Sequence, residues 1–389
     1  MAHKSLASAR LFLHLLLMAF LIPSAVPALE LPAIPAVPTD LATPPPESLP
    51  VEIPMTDPHL RYIGRWDKND VASTCAWPAS ALTLRFQGTA INARLDLGYN
   101  RCEVVINGLP VKVLAARTRG SQLYALASGL KDTTHIVTLV KCTEAAVGPM
   151  RVLGFELNAG AKLLDVPAAE RHIEVIGDSI SAGFGNEAAS ASESFSPATE
   201  NAYWAYGART ARAFGADYVC LAWSGKCLWP DDTLPELYDF ALPTLPRSEW
   251  KFEGPKPQVV VINLCTNDFY RGTPREDGWV KAYRDFITRV RRHAPDATIY
   301  LALGSMLTDV GPEGGKPLGR ARAYIQRVAQ ETQEAGDAKV HFIEFAPQEA
   351  KDGFGAQMHP NLKTHALMAQ DLIRAIEKDL GWKPVTDQP

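Results

Sequence analysis

From residue 168 onward, short apolar runs alternate with long amphipathic stretches, and no other feature of this chain narrows the fold so far. The runs are Ile173–Ile176, Tyr218–Ala222, Val259–Leu264, Thr298–Leu303 and Val340–Phe345. Short, largely apolar runs of this kind read as strands buried on both faces. Between them, Trp279, Val280, Tyr283, Phe286, Ile287 and Val290 fall on one face of a helix. Ala366, Ala369, Leu372, Ile373 and Ile376 mark a last helix, with Pro360 near its start. Strands alternating with helices give an α/β domain over residues 168–385, a parallel sheet covered on both faces. Ligands then bind beyond the carboxyl ends of the strands.

The preceding residues, 59–167, carry a different period. Leu82, Leu84 and Phe86 alternate with polar residues, as do Ala93, Leu95 and Leu97. Asn107-Gly108 between two apolar runs is a hairpin signal. Ile136 to Val140 is apolar on both faces. Several short strands at this spacing predict an accessory β-sandwich packed on its neighbour. Residues 29–58 hold nine prolines and read as an extended tether. Residues 1–28 have Lys4 and Arg10 ahead of the apolar run Leu11 to Ile22, then small residues to Ala28. That is the pattern of a cleaved export signal. The run is short for a membrane span. Nothing later reads as transmembrane, so a soluble protein, secreted or periplasmic, is expected.

The whole chain, 389 residues, has a net charge of −4 and no long basic run, which gives no footprint for nucleic acid. Six cysteines in a chain this long are not a disulfide scaffold. They read as mostly buried small residues with one or two bridges. With no CxxC and no HExxH, no metal or cofactor is expected.

The chemistry should sit at the strand ends. After the first strand comes Gly177-Asp178-Ser179, a serine exposed where a helix begins. After the second comes Trp223-Ser224-Gly225-Lys226, whose glycine lets a backbone N–H approach a ligand. After the third, Cys265-Thr266-Asn267-Asp268 offers a side-chain amide. After the fifth, the loop from Asp352 to Pro360 carries His359. Of the nine histidines, His3 and His14 fall in the signal, His59 and His135 in the sandwich, His172 and His341 in strands, and His293 and His365 on or beside helices. His359 alone lies in a loop on the carboxyl side of the sheet.

These four pieces, in this order, resemble the blocks of the SGNH (GDSL) hydrolases. A sandwich followed by the segment Gly177 to Glu187 is similar to carbohydrate esterase family 2, as are Leu84–Leu95 and Val140 to Glu144 more loosely. The resemblance implies a flavodoxin-like three-layer domain behind a jelly-roll-like sandwich. It implies a monomeric serine esterase, a carboxylic ester hydrolase of the acetylxylan esterase type. Its substrates would be acetylated polysaccharides or oligosaccharides of plants, such as xylan and glucomannan.

Ser179 would be the nucleophile and His359 its base. The Ser179 N–H, Gly225 N–H and Asn267 amide would form the oxyanion hole. Asp178 and Asp268 read as structural carboxylates. Two positions depart from the family pattern. Gln357 stands where SGNH enzymes commonly carry Asp, two residues before the histidine. A dyad oriented by Gln357 or by a backbone carbonyl is the first expectation, with Asp352 a poorly spaced substitute. Cys265 stands where the third block usually has Gly. Trp223, Trp229 and Phe269 are candidate sugar-facing aromatics, with core packing the alternative for each. Two other functions stay open: a general short-chain carboxylesterase, and a carbohydrate-binding protein with a weak or dead hydrolase half.

Overall fold

The structure, a computed structural model, describes residues 49–116, 118–245, 248–310 and 316–385. The expected signal and residues 29–48 of the expected tether lie outside these. The first part of the described chain is all β, with strands β1 (Val51–Ile53), β2 (Arg61–Ile63), β3 (Asp67–Lys68), β4 (Ser73–Cys75), β5 (Ala81–Gly88) and β6 (Ile91–Asp96). Then come β7 (Arg101–Ile106), β8 (Leu109–Ala115), β9 (Gln122–Ala127), β10 (Thr133–Lys141), β11 (Met150–Leu157) and β12 (Lys162–Leu164). One antiparallel sheet runs β3-β4-β11-β6-β9 with β1 on β11, and the other β12-β5-β10-β7-β8 with β2 on β5. The step from β5 to β6 crosses between the sheets. It sets Leu82, Leu84 and Phe86 in one core with Ala93 and Leu95, all fully buried. Asn107 and Gly108 take φ of 51° and 84° in the tight turn between β7 and β8, the left-handed pair that such hairpins need.

The reading of residues 29–58 as an extended tether needs correction at its end. Val51 to Ile53 pairs with β11, and Ile53 and Met55 are buried in the sandwich core. The alternating apolar residues between Pro50 and Pro54 suffice for an edge strand, where proline is tolerated.

The second part has β13 (His172–Gly177), α1 (Ser179–Ala182), α2 (Tyr206–Ala213), β14 (Asp217–Ala222), β15 (Val259–Asn263), α3 (Thr266–Tyr270) and α4 (Glu276–His293). It ends with β16 (Thr298–Leu303), α5 (Pro317–Glu334), β17 (Val340–Glu344) and α6 (Leu362–Leu380). The sheet order is β14-β13-β15-β16-β17, all parallel. Buried residues of α2 and α6 pack on one face and of α4 and α5 on the other. The six helix residues singled out from the period of α4 are all buried. Strand order reverses at β13, which makes its carboxyl end the crevice of the sheet.

The sandwich shares its core with this α/β part. Val105 and Val140, on the outward face of the second sheet, are buried with Ile173, Val175 and Tyr206. That explains the two-faced apolar run of β10; nearer its start, Ile136 is exposed. Trp77 packs with Leu234, Tyr238 and Leu242, and its Nε1 donates to the Phe240 carbonyl at 3.1 Å. The buried Arg65 guanidinium donates to the Phe240 and Tyr238 carbonyls.

All six cysteines are buried free thiols, so the expected one or two bridges are not formed. Each side chain is enclosed in a packed interior, and burial pushes the Cys75 thiol up to about 12. Among the described residues, no helix is long and apolar enough to cross a membrane.

Trp77 belongs to both halves, so its loss should be felt by both. Trp77→Ala is expected to destabilise the protein by about 3–5 kcal/mol. Chemical denaturation, followed by far-ultraviolet circular dichroism, should keep one transition. A separate early transition of the sandwich would contradict the shared core.

Candidate active site

Ser179 opens α1 directly after β13 and is 6 % exposed. The turn is set by Asp178, whose carboxylate caps α1 by accepting from the Ile180 N–H at 3.0 Å. Burial, with a smaller contribution from Asp268, raises the Asp178 carboxyl to about 7.

His359 arrives from the far end of the sheet, in the turn that precedes α6. Its Nε2 lies 2.9 Å from Ser179 Oγ. Its Nδ1 faces two backbone carbonyls, Ala356 O at 3.1 Å and Gln357 O at 3.2 Å. Carbonyls only accept, so Nδ1 carries the ring proton and Nε2 is left as the acceptor. The turn that aims these carbonyls is unusual. Gln357 and Met358 have φ of 50° and 62°, left-handed values rare for residues with side chains. The imidazole packs on Phe184 with ring centres 4.2 Å apart, and Phe184 stacks on Phe195 at 4.5 Å. Burial lowers the His359 pKa, and the two carbonyls oppose this only in part.

The expected orienting side chains are placed elsewhere. The Gln357 side chain is exposed, and only its carbonyl reaches the imidazole. Asp352 pairs with Lys363.

Gly225, with φ of 80°, lies in the turn after β14. Its carbonyl accepts from Arg271 at 2.9 Å. Among the described residues, the N–H groups of Ser179 and Gly225 meet no acceptor. Asn267, in α3, donates through Nδ2 to the Lys226 carbonyl at 3.0 Å, with Asp178 Oδ2 further off at 3.5 Å. Asn267 thus touches both the residue before Ser179 and the residue after Gly225. Asp268 is spent on structure: its carboxylate accepts from the N–H groups of Leu228 and Trp229 and from Trp279 Nε1. Cys265 is tolerated because its φ of −178° is not the left-handed conformation that would demand glycine, and its side chain enters the core.

The aromatics divide. Phe269 is 3 % exposed and packs on Trp279 and Tyr324, so it is a core residue and faces no ligand. Trp229 is half-buried with its ring against Gly278 of α4. Trp223 is half-buried under the Lys226 ammonium, 5.2 Å from its ring centre. Sequence reasoning passed over Phe184, Phe195 and Glu144. Phe184 and Glu144 stand inside segments it had already marked out. Phe195 has no signal beyond its type.

A hydroxyl bonded to an acceptor nitrogen, beside unpaired N–H groups at a helix start, is equipped to form and stabilise a tetrahedral oxyanion. The fold and site define an SGNH-type hydrolase. Residues 62–167 match the carbohydrate esterase 2 N-terminal family and residues 175–367 the GDSL-like lipase/acylhydrolase family. The chain is 37 % identical over 334 residues to the cellulase/esterase CelE of Acetivibrio thermocellus, covering 84 % of this chain and 40 % of that protein. It is 26 % identical to an acetylxylan esterase/glucomannan deacetylase of Cellvibrio japonicus, over 85 % of this chain and 91 % of that one. A family two carbohydrate esterase from Clostridium thermocellum, solved with cellohexaose, superposes with a TM-score of 0.78 at 37 % identity, covering 83 % of this chain and 99 % of that chain. The chain belongs to carbohydrate esterase family 2, a family of carboxylic ester hydrolases on the SGNH fold.

Two measurements follow. Gln357→Ala keeps the carbonyl and removes the side chain, so kcat on an acetyl ester should stay within about threefold of wild type. A much larger loss would give the side chain a role that its exposure denies. The second is the pH profile. His359 must be neutral to accept a proton, so activity is lost as pH falls through its pKa. Burial disfavours the imidazolium, which places that midpoint below the ordinary 6.5. In an Asp178→Asn background, free of the carboxyl near 7, the acid limb of kcat/KM should lie below 6.5; a midpoint above it would contradict the buried imidazole.

Proposed function

We propose that this protein removes O-acetyl groups from plant polysaccharides such as xylan and glucomannan, through an acyl-enzyme on Ser179 with His359 as base. The observation that carries this reading is the 2.9 Å contact from Ser179 Oγ to an Nε2 kept free by two carbonyls on Nδ1. His359 takes the Oγ proton as Oγ attacks the acetyl carbonyl carbon. The oxyanion is held by the Ser179 and Gly225 N–H groups, and by the Asn267 amide once the hydrogen on its long 3.5 Å bond to Asp178 turns to the substrate. Collapse breaks the bond to the sugar oxygen, which leaves with the proton from His359. Water, deprotonated by His359, then attacks the acetyl ester, and acetate departs with Ser179 restored. Relatives named as acetylxylan esterases and glucomannan deacetylases support the substrate class. Export, supported by the pattern of residues 1–28, would bring the enzyme to its polymer.

A second reading concerns the same cleft. The solved relative at 37 % identity binds cellohexaose, a chain without acetyl groups. On that ground the cleft here also takes unacetylated glucan, and cellohexaose should compete with ester turnover. Turnover unaffected by saturating cellohexaose would remove this reading.

The test of the main proposal is acetate release from acetylated xylan and glucomannan by the full chain and by Ser179→Ala. Wild type should release acetate, and the variant should fall by about 10³-fold or more. Folded wild type silent on both polymers, or equal release by the variant, would refute the proposal. Comparable rates on acetyl and octanoyl esters would indicate a general esterase instead.

A further inference from the structure

Three ionisable side chains meet in the seam between the sandwich and the α/β part, away from the reacting atoms: Lys141 at the end of β10, Glu144 in the turn that follows, and Glu200. Lys141 is fully buried, and its ammonium donates to the Thr143 carbonyl at 2.6 Å, the Glu144 carbonyl at 3.1 Å and the Thr143 hydroxyl at 3.3 Å. Every one of those acceptors lies within the turn that carries Glu144. The Glu144 N–H is held in turn by the buried carboxylate of Glu200 at 3.0 Å. A buried lysine used only to bond its own neighbours fixes that turn from inside.

What the turn presents is the Glu144 carboxylate. It leaves the sandwich and accepts from the Ser224 N–H at 2.5 Å. Ser224 directly precedes Gly225. Glu144 is 2 % exposed, and among the described residues its carboxylate is bonded to no other main-chain N–H. Two further bonds hold this segment from the other side: Asn267 to the Lys226 carbonyl and Arg271 to the Gly225 carbonyl. The main chain is therefore held on both sides of the peptide that carries the Gly225 N–H, before it by Glu144 of the sandwich and after it by Arg271 and Asn267.

We infer that Glu144 is a positioning residue for the oxyanion hole: its carboxylate, anchored in the sandwich, holds the Ser224 N–H and so fixes the turn in which the next N–H, that of Gly225, meets the developing acyl oxyanion. The inference rests on the proposed roles of Ser179 and Gly225. It makes the sandwich part of the catalytic apparatus. An N–H that moves out of line stabilises a developing charge poorly, while a substrate in its ground state is held by other contacts.

Two variants separate reach from charge. Glu144→Asp keeps the negative charge near Lys141 but is one methylene too short for Ser224. Glu144→Gln loses the charge and keeps an acceptor oxygen at the right length. With 4-nitrophenyl acetate, Glu144→Asp should lower kcat by about 10–100-fold with KM within about twofold. Glu144→Gln should stay within about threefold of wild type. Active-site titration with a fluorophosphonate counts folded sites, and its rate reads oxyanion stabilisation directly. That rate should fall in parallel with kcat for Glu144→Asp, while the final extent of labelling stays complete.

Wild-type kcat in Glu144→Asp, with Ser179→Ala inactive, overturns the positioning role and leaves the esterase reading intact. A loss that vanishes once kcat is divided by titrated sites is a folding defect and overturns it too. Full activity in Ser179→Ala overturns both.

Discussion

Two lengths of main chain touch where Gly185 meets Gly355, and the geometry of the site depends on that contact. The Ala356 N–H donates to the Gly185 carbonyl at 3.0 Å. A Cβ on Gly185 would lie 2.4 Å from the Ala356 Cβ, and one on Gly355 would lie 2.5 Å from the Gly185 carbonyl oxygen. Gly185 also has φ of 55°. Ser179 and His359 stand 180 residues apart in sequence, so nothing local relates them. The parallel sheet brings their loops to one end. The paired glycines then set how near the loops come, and Phe184, next to Gly185, lays its ring on the imidazole. A side chain at either glycine would spread the loops by more than a catalytic hydrogen bond tolerates.

The electrostatics of this site put negative charge in unexpected places. A carboxylate behind the histidine would strengthen it as a base and stabilise the imidazolium. Here two carbonyl dipoles fix the tautomer without adding a charge, and burial pulls the histidine down. On the proposed mechanism this leaves a base that is neutral near neutrality but gains less when it takes the proton. The nearby carboxylates serve the backbone instead. Asp178 caps α1, and Asp268 gathers three N–H groups around the loop after β14. Burial raises both. With Asp178 near 7, the residue beside Ser179 is not fully ionised at neutral pH. That suits a step whose new charge is negative.

Much of this was legible in the sequence. The five apolar runs after residue 168 needed only period and length, because a buried parallel strand has no polar face to blur the signal. That Ser179 and His359 meet at one end of the sheet was legible because both follow strands on its carboxyl side. Other features depend on atoms that sequence does not order. That the histidine is turned by the carbonyls of Ala356 and Gln357 follows from two left-handed residues, and neither glutamine nor methionine announces that backbone. Phe269 reads from the sequence as either a sugar-facing aromatic or a core residue, and α3 turns it into the core against Trp279. The edge strand at Val51–Ile53 was hidden by its prolines. The cysteines, plausible bridges by compartment, sit where packing leaves each as a small apolar residue.

The most consequential illegible feature is what the sandwich replaces. In a doubly wound fold, the crossover from one parallel strand to the next in sequence normally carries a helix that covers the sheet. Residues 223–258, between β14 and β15, form only the short turn Pro235–Leu237 among helical elements in their described part. A segment this long without a helix must satisfy its backbone elsewhere. Arg65 and Trp77 take the carbonyls of Tyr238 and Phe240, and Glu144 takes the Ser224 N–H. Trp77 and Ala145 enter the same apolar cluster as Leu234 and Leu242. The sandwich thus supplies both the hydrogen bonds and the apolar cover that a crossover helix would have given. A rigid helix would have fixed its own first turn. Here the first turn holds Gly225 and is bonded to the sandwich through Glu144, so separating the sandwich from the α/β part would remove the support of that turn before it disturbed the sheet.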